Sequence, residues 1–504
     1  MKYLLGLDNG GTIVKAAIFD MQGKPISVGK NYAKPILPRD YFVERPYGDL
    51  WQANVAAIGE AVREAGIDPH DIAAVGVTGH GNGLYAQDAN GGWVGNGILS
   101  ADMRAKDIIA QWERDGTVKR NYPAMRQLPF ASQVAPLLLW IKNNDPGAYE
   151  RIDQAVLCKD YVRYCLTGEL CTDETDISGV YVMNLETGEY DRDVLASLGL
   201  EDCIEKLPRS IAASTQQCGR VHAAAAADTG LAEGTPVCGG LFDVTSCAIA
   251  TGVLDEEKLC IVIGTWSINE CISRSLPENE SIFVTSRYCL PGYYLLTEGS
   301  VTGASNLQWF LDTYMREEEA AARERQGSVF DTCDEMLESI PFDETGLMFL
   351  PFLFGTNVHL SARAGFIGML GRHTKAHMLR SIYEGVSFSH KQHVDKLRAA
   401  GCQYKVVRLS GGGAASRPWV QMFADVLGAP MEVPEAKELG AMGAAMCAGV
   451  MLGEYKDLQQ AADVFTKIAY TVDPIPARMP YYAERYEQYS RLIKALDPMW
   501  EDWR

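Results

Sequence analysis

Two stretches in opposite halves of a 504-residue chain follow one plan: an apolar strand, a glycine-containing turn and a second strand. In the first, "YLLGL" leads through Asp8-Asn9-Gly10-Gly11 into "TIVKAAIFD". Asn-Gly between apolar runs is a strong hairpin signal, because both residues tolerate positive φ. "WQANVAAIGEAVREAG" then reads as an amphipathic helix and "IAAVGVTG" as a buried strand. Past the middle, "KLCIVIGTWSINECIS" again reads strand, turn, strand, with "GYYLLTEG" as a further strand before the helix "SNLQWFLDTY". A chain this long exceeds one ordinary core. The shared plan predicts two α/β domains of similar build, residues 1–252 and 253–504, with the boundary near Gly252. No low-complexity linker divides them, so the halves are expected to pack together around a cleft.

Charge narrows the partners. The formal net charge of −19 would repel nucleic acid and anionic membranes, so any phosphate must be held by a local site. Apolar residues at 47% and charged residues at 22% suit a folded soluble protein. The thirteen cysteines are scattered without a CxxC pair, which predicts neither a zinc site nor a disulfide framework and fits a reducing cytoplasm. "MKYLLGLDNGG" is too short an apolar run for a signal peptide, and no apolar stretch reaches membrane-spanning length. His390 and His393 in "SHKQHVDK" have metal-like spacing but no acidic third ligand to match, and are read as part of a polar, solvent-facing helix surface.

Three glycine turns could carry chemistry: Asp8 to Thr12, Gly264-Thr265-Trp266-Ser267, and Gly411-Gly412-Gly413-Ala414. Glycine lets backbone N–H groups approach an anion, and hydroxyls add donors without bulk. The third turn lies between the apolar "VVRLS" and the amphipathic "SRPWVQMFADVLG", where a nucleotide could lie across a helix start. It is neither GxGxxG nor a P-loop. Asp243 in "GGLFDVTSCA" sits at a junction between an apolar run and a helix start, a position that suits an N-cap or a catalytic base.

Taken in order, "LGLDNGGT", "DMRA", "CKDYVRYCLTGE", "FDV", "IGTWS", "ARAGFIGMLGRHTKAHMLRSIYEG" and "LSGGGAASRPWVQMFADVLGAPMEVPEAKELGAMGAA" resemble the FGGY family of carbohydrate kinases from Leu5 to about Gly449. The family's C-terminal signature is matched across Ala364 to Glu384. Within the family, the similarity is greatest to the pentulose kinases, in particular the L-xylulose branch. The resemblance implies a two-domain actin-like ATPase (ribonuclease H-like) fold, with ATP and Mg²⁺ in the interdomain cleft and sugar mainly on the first domain. It implies that Asp8 orients Mg²⁺ and water, with Gly10, Gly11 and Thr12 near the phosphates. Gly264 and Thr265 match the second phosphate loop, Gly303 a nucleotide-site glycine, and Gly412 with Gly413 the adenosine loop, with Ser416 facing the adenine. Asp243 matches the general base, one oxygen holding the helix start while the other faces the sugar.

Two departures bear on the substrate. "TGHGNG" replaces the usual sugar-facing loop and puts His80 and Asn82 there, which implies a different sugar stereochemistry. The family's first signature keeps Trp140 but has Leu137 where lysine is usual. Asp102 falls at the Asp-x-Arg position and is expected to meet sugar hydroxyls, with Arg104 either beside it at the sugar or in an ion pair supporting the wall. The implied activity is ATP-dependent phosphorylation of a terminal hydroxyl of a ketopentose or related polyol, L-xylulose first. Erythritol, L-ribulose, D-xylulose and glycerol are alternative acceptors, and a non-enzymatic actin-like ATP-binding regulator is the alternative class. A homodimer is among the partners considered.

Overall fold

The computed structural model describes residues 1–278, 282–344, 346–356 and 361–501. The Asn9-Gly10 turn closes a hairpin between β1 (Tyr3–Asn9) and β2 (Ile13–Asp20), in which Asn9 faces Val14 and the Gly10 N–H donates to the Ile13 carbonyl at 3.1 Å. β3 (Pro25–Tyr32) continues the meander antiparallel to β2. Helix α1 (Tyr47–Ala65) crosses back and delivers β4 (Ile72–Gly79) parallel to β1, with Asp8 opposite Thr78 and Asn9 opposite Gly79. β5 (Pro236–Cys238) and β6 (Leu241–Phe242) both add to β4 in parallel. The strands bury near-continuous apolar runs because both sheet faces are covered.

The second sheet repeats the plan. β7 (Lys258–Ile263) and β8 (Ser267–Ser273) form the antiparallel hairpin, and β9 (Tyr294–Ser300) lies beside β8. β10 (Val406–Ser410) pairs parallel to β7, and β11 (Met431–Pro434) parallel to β10. By contacts the chain forms two compact units. One comprises Met1–Leu254, Ile272–Leu296 and Glu438–Lys467; the other comprises Asp255–Cys271, Thr297–Lys437 and Ile468–Arg504.

The helix carrying "HKQH" (Lys375–Ala399) departs from the sequence reading. His390 and His393 are buried, their Nδ1 atoms 2.9 Å from Asn269 Oδ1 and 3.0 Å from Glu298 Oε2. The polar pattern reflects core histidines with internal partners, which periodicity alone cannot tell from a wetted face. Among the described residues, no helix is long and apolar enough to cross a membrane.

Within the first unit, helix α2 (Leu439–Met451) lies on β1 and β4 at backbone contact. A Cβ on Gly6 would fall 1.8 Å from the Ala441 carbonyl oxygen, and one on Gly76 would fall 1.9 Å from that of Ala444. Neither carbonyl can move without breaking the helix. Gly76→Ala should therefore cost about 2 kcal/mol or more, because overpacking against backbone cannot relax. Gly59→Ala in α1 meets only the tip of Arg63 at 3.7 Å and should be neutral or stabilising by roughly 0.5–1 kcal/mol. Thermal melts of the two variants check the contrast.

Candidate active site

β1, β4 and β6 are parallel neighbours, so their carboxyl ends open at one edge of the sheet. This is where ligands bind in parallel α/β sheets. The three chain segments leaving that edge carry Asp8 to Thr12, the His80 to Gly83 loop, and Asp243. They are tied together: the His80 N–H donates to the Asn9 carbonyl at 2.9 Å, Asn9 Nδ2 donates to the Thr78 carbonyl at 3.1 Å, and Asn54 Nδ2 donates to Asn9 Oδ1 at 2.8 Å. Gly81 packs face-on to Phe242, since a Cβ there would fall 2.1 Å from the ring. The loop expected to meet sugar thus lies against the residue preceding Asp243.

Asp243 is the first residue of helix α3 (Asp243–Ala250), with Phe242 in the capping position. Its Oδ1 accepts the Val244 N–H at 2.8 Å. Burial, then the nearby Asp8 and Asp176 carboxylates, push its proton affinity well above the ordinary carboxylate range. A carboxylate that holds a proton this readily is suited to accept one from an alcohol.

Asp8 sits against the first turn of α2, where a Cβ on Gly440 would meet its Oδ2 at 2.7 Å. Burial pushes it up to about 6, opposed by Lys15 and reinforced by Glu438. Glu438 pairs with Lys15 at 2.8 Å and with Lys30 at 2.6 Å. Lys15, Glu438 and Gly440 were not singled out from sequence. Only pairing across β1 and β2 and the return of residues 438–467 to this unit bring them to Asp8. Gly10, Gly11 and Thr12 follow in the hairpin turn, with the Gly11 carbonyl taking a hydrogen bond from the buried Arg45 guanidinium and the Thr12 carbonyl one from Ala33 N–H at 2.9 Å.

His80 is buried and held neutral: burial first, then the Arg45 and Lys159 charges, lower it to about 3. Its ring nitrogens lie 3.3 Å from the Gly81 carbonyl and 3.4 Å from Tyr85 Oη, long contacts that a sugar hydroxyl could replace. Asn82 adopts the left-handed region, φ 57°, which turns the loop between Gly81 and Gly83. Asp102, expected to meet sugar hydroxyls, has its partners within the protein here. It is fully buried, and its oxygens accept from the Val43 N–H at 2.8 Å and from the backbone, Nε and Nη2 of Arg104 at 2.9, 2.9 and 2.8 Å. Arg104 also reaches Glu44 at 2.7 Å, so the pair braces the wall.

In the second unit, Gly264 and Thr265 follow β7, and Gly411 to Gly413 follow its parallel neighbour β10, again at carboxyl ends. Gly264, Thr265, Gly412 and Gly413 line a cavity of about 890 Å³ together with Ala304, Asp334, Ser416 and Trp419. Gly303 lets its segment close onto Gly264, whose carbonyl oxygen would lie 2.7 Å from a Cβ there. Gly411 has φ 88°, and a Cβ on Gly413 would fall 2.4 Å from Ile263 Cγ2. Ser416 caps helix α4 of this site (Arg417–Leu427), accepting from the Trp419 N–H at 3.3 Å and donating to Asp334 Oδ1 at 2.5 Å.

Both halves of the chain match a known family. The N-terminal domain of the FGGY family of carbohydrate kinases matches residues 3–250, and the C-terminal domain matches residues 259–452. The chain belongs to the FGGY family of carbohydrate kinases. It is 36% identical over 500 residues to a probable L-xylulose kinase of Pasteurella multocida, covering 99% of this chain and 100% of that one. It is also 36% identical over 497 residues to the L-xylulose/3-keto-L-gulonate kinase of Escherichia coli, covering 98% and 97%. A ligand-bound xylulose kinase from Lactobacillus acidophilus shares the fold, with a TM-score of 0.90 at 22% identity over 100% of both chains. The fold is that of the two-domain actin-like ATPases, and this FGGY protein is a sugar kinase with ATP as co-substrate.

The Asp8 shift has a testable sign. The folded protein holds this proton more tightly than the unfolded chain, so stability is lost as pH rises through the window from 3.8 to about 6. The penalty above pH 6 is on the order of 2–3 kcal/mol. Asp8→Asn should accordingly raise the melting temperature of the ligand-free protein by several degrees at pH 7.5 and change it little at pH 4.

Proposed function

We propose that this kinase transfers the γ-phosphoryl group of ATP to a terminal hydroxyl of a ketopentose or related polyol, with L-xylulose the first candidate. The observation that carries the reading is the placement of Asp243, with its raised proton affinity, beside the His80 to Gly83 loop and the Asp8 hairpin. The names of the two relatives at 36% identity, an L-xylulose kinase and an L-xylulose/3-keto-L-gulonate kinase, support a ketose or keto-sugar acid as acceptor.

The roles follow the geometry of each unit. Asp243 takes the hydroxyl proton as the sugar oxygen forms its bond to phosphorus and the bridging bond of ATP breaks. Such transfers are loose, so the protein contributes alignment and charge neutralisation more than covalent chemistry. Asn82 and the neutral His80 are proposed to hydrogen-bond sugar hydroxyls. Gly10, Gly11 and Thr12 are proposed to face phosphates, as are Gly264 and Thr265. The cavity lined by Gly412, Gly413 and Ser416, with Gly303 closing its wall, would take the adenosine.

Asp8 is proposed to hold Mg²⁺ through water. Mg²⁺ is commonly held by one or two carboxylates together with substrate phosphates, a role that a single aspartate beside the phosphate turn could fill. When bound, the ion neutralises phosphate charge. A cytoplasmic location is part of the proposal and is supported by thirteen cysteines that carry thiols rather than disulfides. A homodimer is proposed on the commonness of two-fold assembly, and light scattering tests it.

A coupled ADP-release screen over pentuloses, tetritols, hexuloses, keto-sugar acids and glycerol tests the acceptor. Turnover on a pentulose at least tenfold above the others is expected, and a preference for glycerol would overturn the reading. Asp243→Asn should lower kcat by about 10²–10⁴ with ATP affinity nearly unchanged. Asn82→Ala should raise the sugar KM roughly 5- to 100-fold, the equivalent of one lost buried polar contact, and leave the ATP KM alone.

A further inference from the structure

The five residues Gly239 to Asp243 carry the chain from the end of β5 into the helix that begins with Asp243. Two of the peptide groups in this strap are held at both ends. In the Gly239–Gly240 peptide, the carbonyl accepts from Arg163 Nη1 and the N–H donates to the Ser214 carbonyl at 3.3 Å. In the Leu241–Phe242 peptide, the carbonyl accepts from Thr78 Oγ1 at 2.8 Å and the N–H donates to Thr175 Oγ1 at 3.0 Å. Arg163, Thr78 and Thr175 are all 0% exposed.

Behind Thr175 stands a buried ionic cluster. Lys159 Nζ lies 2.6 Å from Asp173 Oδ2, 2.9 Å from Asp176 Oδ2 and 3.1 Å from Asp160 Oδ1, and Asp160 Oδ1 also pairs with Arg163 at 3.0 Å. The other oxygen of Asp173 accepts both the Thr175 N–H at 2.9 Å and the Thr175 hydroxyl at 2.5 Å. A hydroxyl has one hydrogen. With that hydrogen committed to Asp173, a lone pair of Oγ1 is left to meet the Phe242 N–H. The Lys159–Asp173 ion pair thereby sets the direction of a hydroxyl that fixes the peptide just ahead of Asp243. Apolar replacement of a buried ion cluster is often neutral for stability, so retention of two cations and three carboxylates here calls for a role beyond stability.

We propose that Thr175, oriented by the Lys159–Asp173 pair, is a positioning residue for the Asp243 carboxylate. The inference rests on the reading of Asp243 as general base, and its physical content is that the base tolerates little displacement from the attacking hydroxyl. Val keeps the shape of Thr and removes the hydroxyl, whereas Ser keeps the hydroxyl.

The test measures steady-state kinetics on the full chain together with amide exchange. Thr175→Val is expected to lower kcat about 10- to 100-fold while leaving the ATP KM within about twofold. Thr175→Ser is expected to retain more than half of the wild-type kcat. On an Asp243→Asn background, Thr175→Val should cost less than about threefold further, because the two residues act through one carboxylate. Hydrogen exchange should speed up in the peptide spanning Phe242 in Thr175→Val and not in Thr175→Ser. A Thr175→Val enzyme with wild-type kcat, a Ser variant as impaired as the Val one, or multiplied losses in the double variant would each overturn the positioning role. If no sugar is phosphorylated by the wild type, the acceptor reading fails, and the exchange comparison still decides whether Thr175 holds the strap.

Discussion

The contact between helix α2 and the first sheet is the constraint on which the first unit depends. Glycines at Gly6 and Gly76 on the strands, and at Gly440 and Gly443 on the helix, leave out Cβ atoms that would hold the layers apart. At Gly443 the neighbour is Ser246 of α3, whose backbone oxygen would lie 2.2 Å from a Cβ, while its hydroxyl donates to the Gly440 carbonyl at 2.7 Å. One helix therefore packs on the strand that carries Asp8, on the strand that leads to His80, and on the helix that begins with Asp243. Close approach of backbone to backbone is rigid, because neither partner has a rotamer to change. The three chemistry-bearing segments are referenced to a common wall.

That wall is apolar, and its electrostatic consequence reaches the site. Desolvation is the first cause of the raised proton affinity of Asp8 and Asp243, and of the lowered one of His80. At Asp243 the neighbouring carboxylates of Asp8 and Asp176 add to the effect of burial. Lys15 faces Asp8 and opposes its rise without removing it, whereas Arg45 and Lys159 near His80 add to the lowering there. Such a site sets a carboxylate of raised proton affinity near a neutral imidazole, the two groups proposed above to meet the sugar.

Much of this was legible along the chain. The Asn9-Gly10 turn, the α1 periodicity and the buried run "IAAVGVTG" appear as the elements they suggest, and the second hairpin repeats them. Local rules suffice there, because turn chemistry and hydrophobic period are properties of neighbouring residues. They failed where a polar residue had a distant partner. His390 and His393 look like a wetted face until Asn269 and Glu298 are brought across. Asp102 gives no sign in sequence that Val43, distant along the chain, meets its carboxylate beside Arg104. Glu438 has no visible reason to matter until it meets Lys15 and Lys30 across the sheet.

By itself, the sequence determined the kind of protein this is. Strand, turn and helix order and the motif series specify two α/β units of the FGGY kinases, and residue types at Asp8, Asp243 and the glycine turns specify the chemistry available. Tertiary structure alone decided which polar side chains are spent on the fold and which face the site. Burial depends on what packs on all sides of a residue, and a carboxylate's charge state and remaining lone pairs follow from that burial and from partners that sequence distance does not reveal.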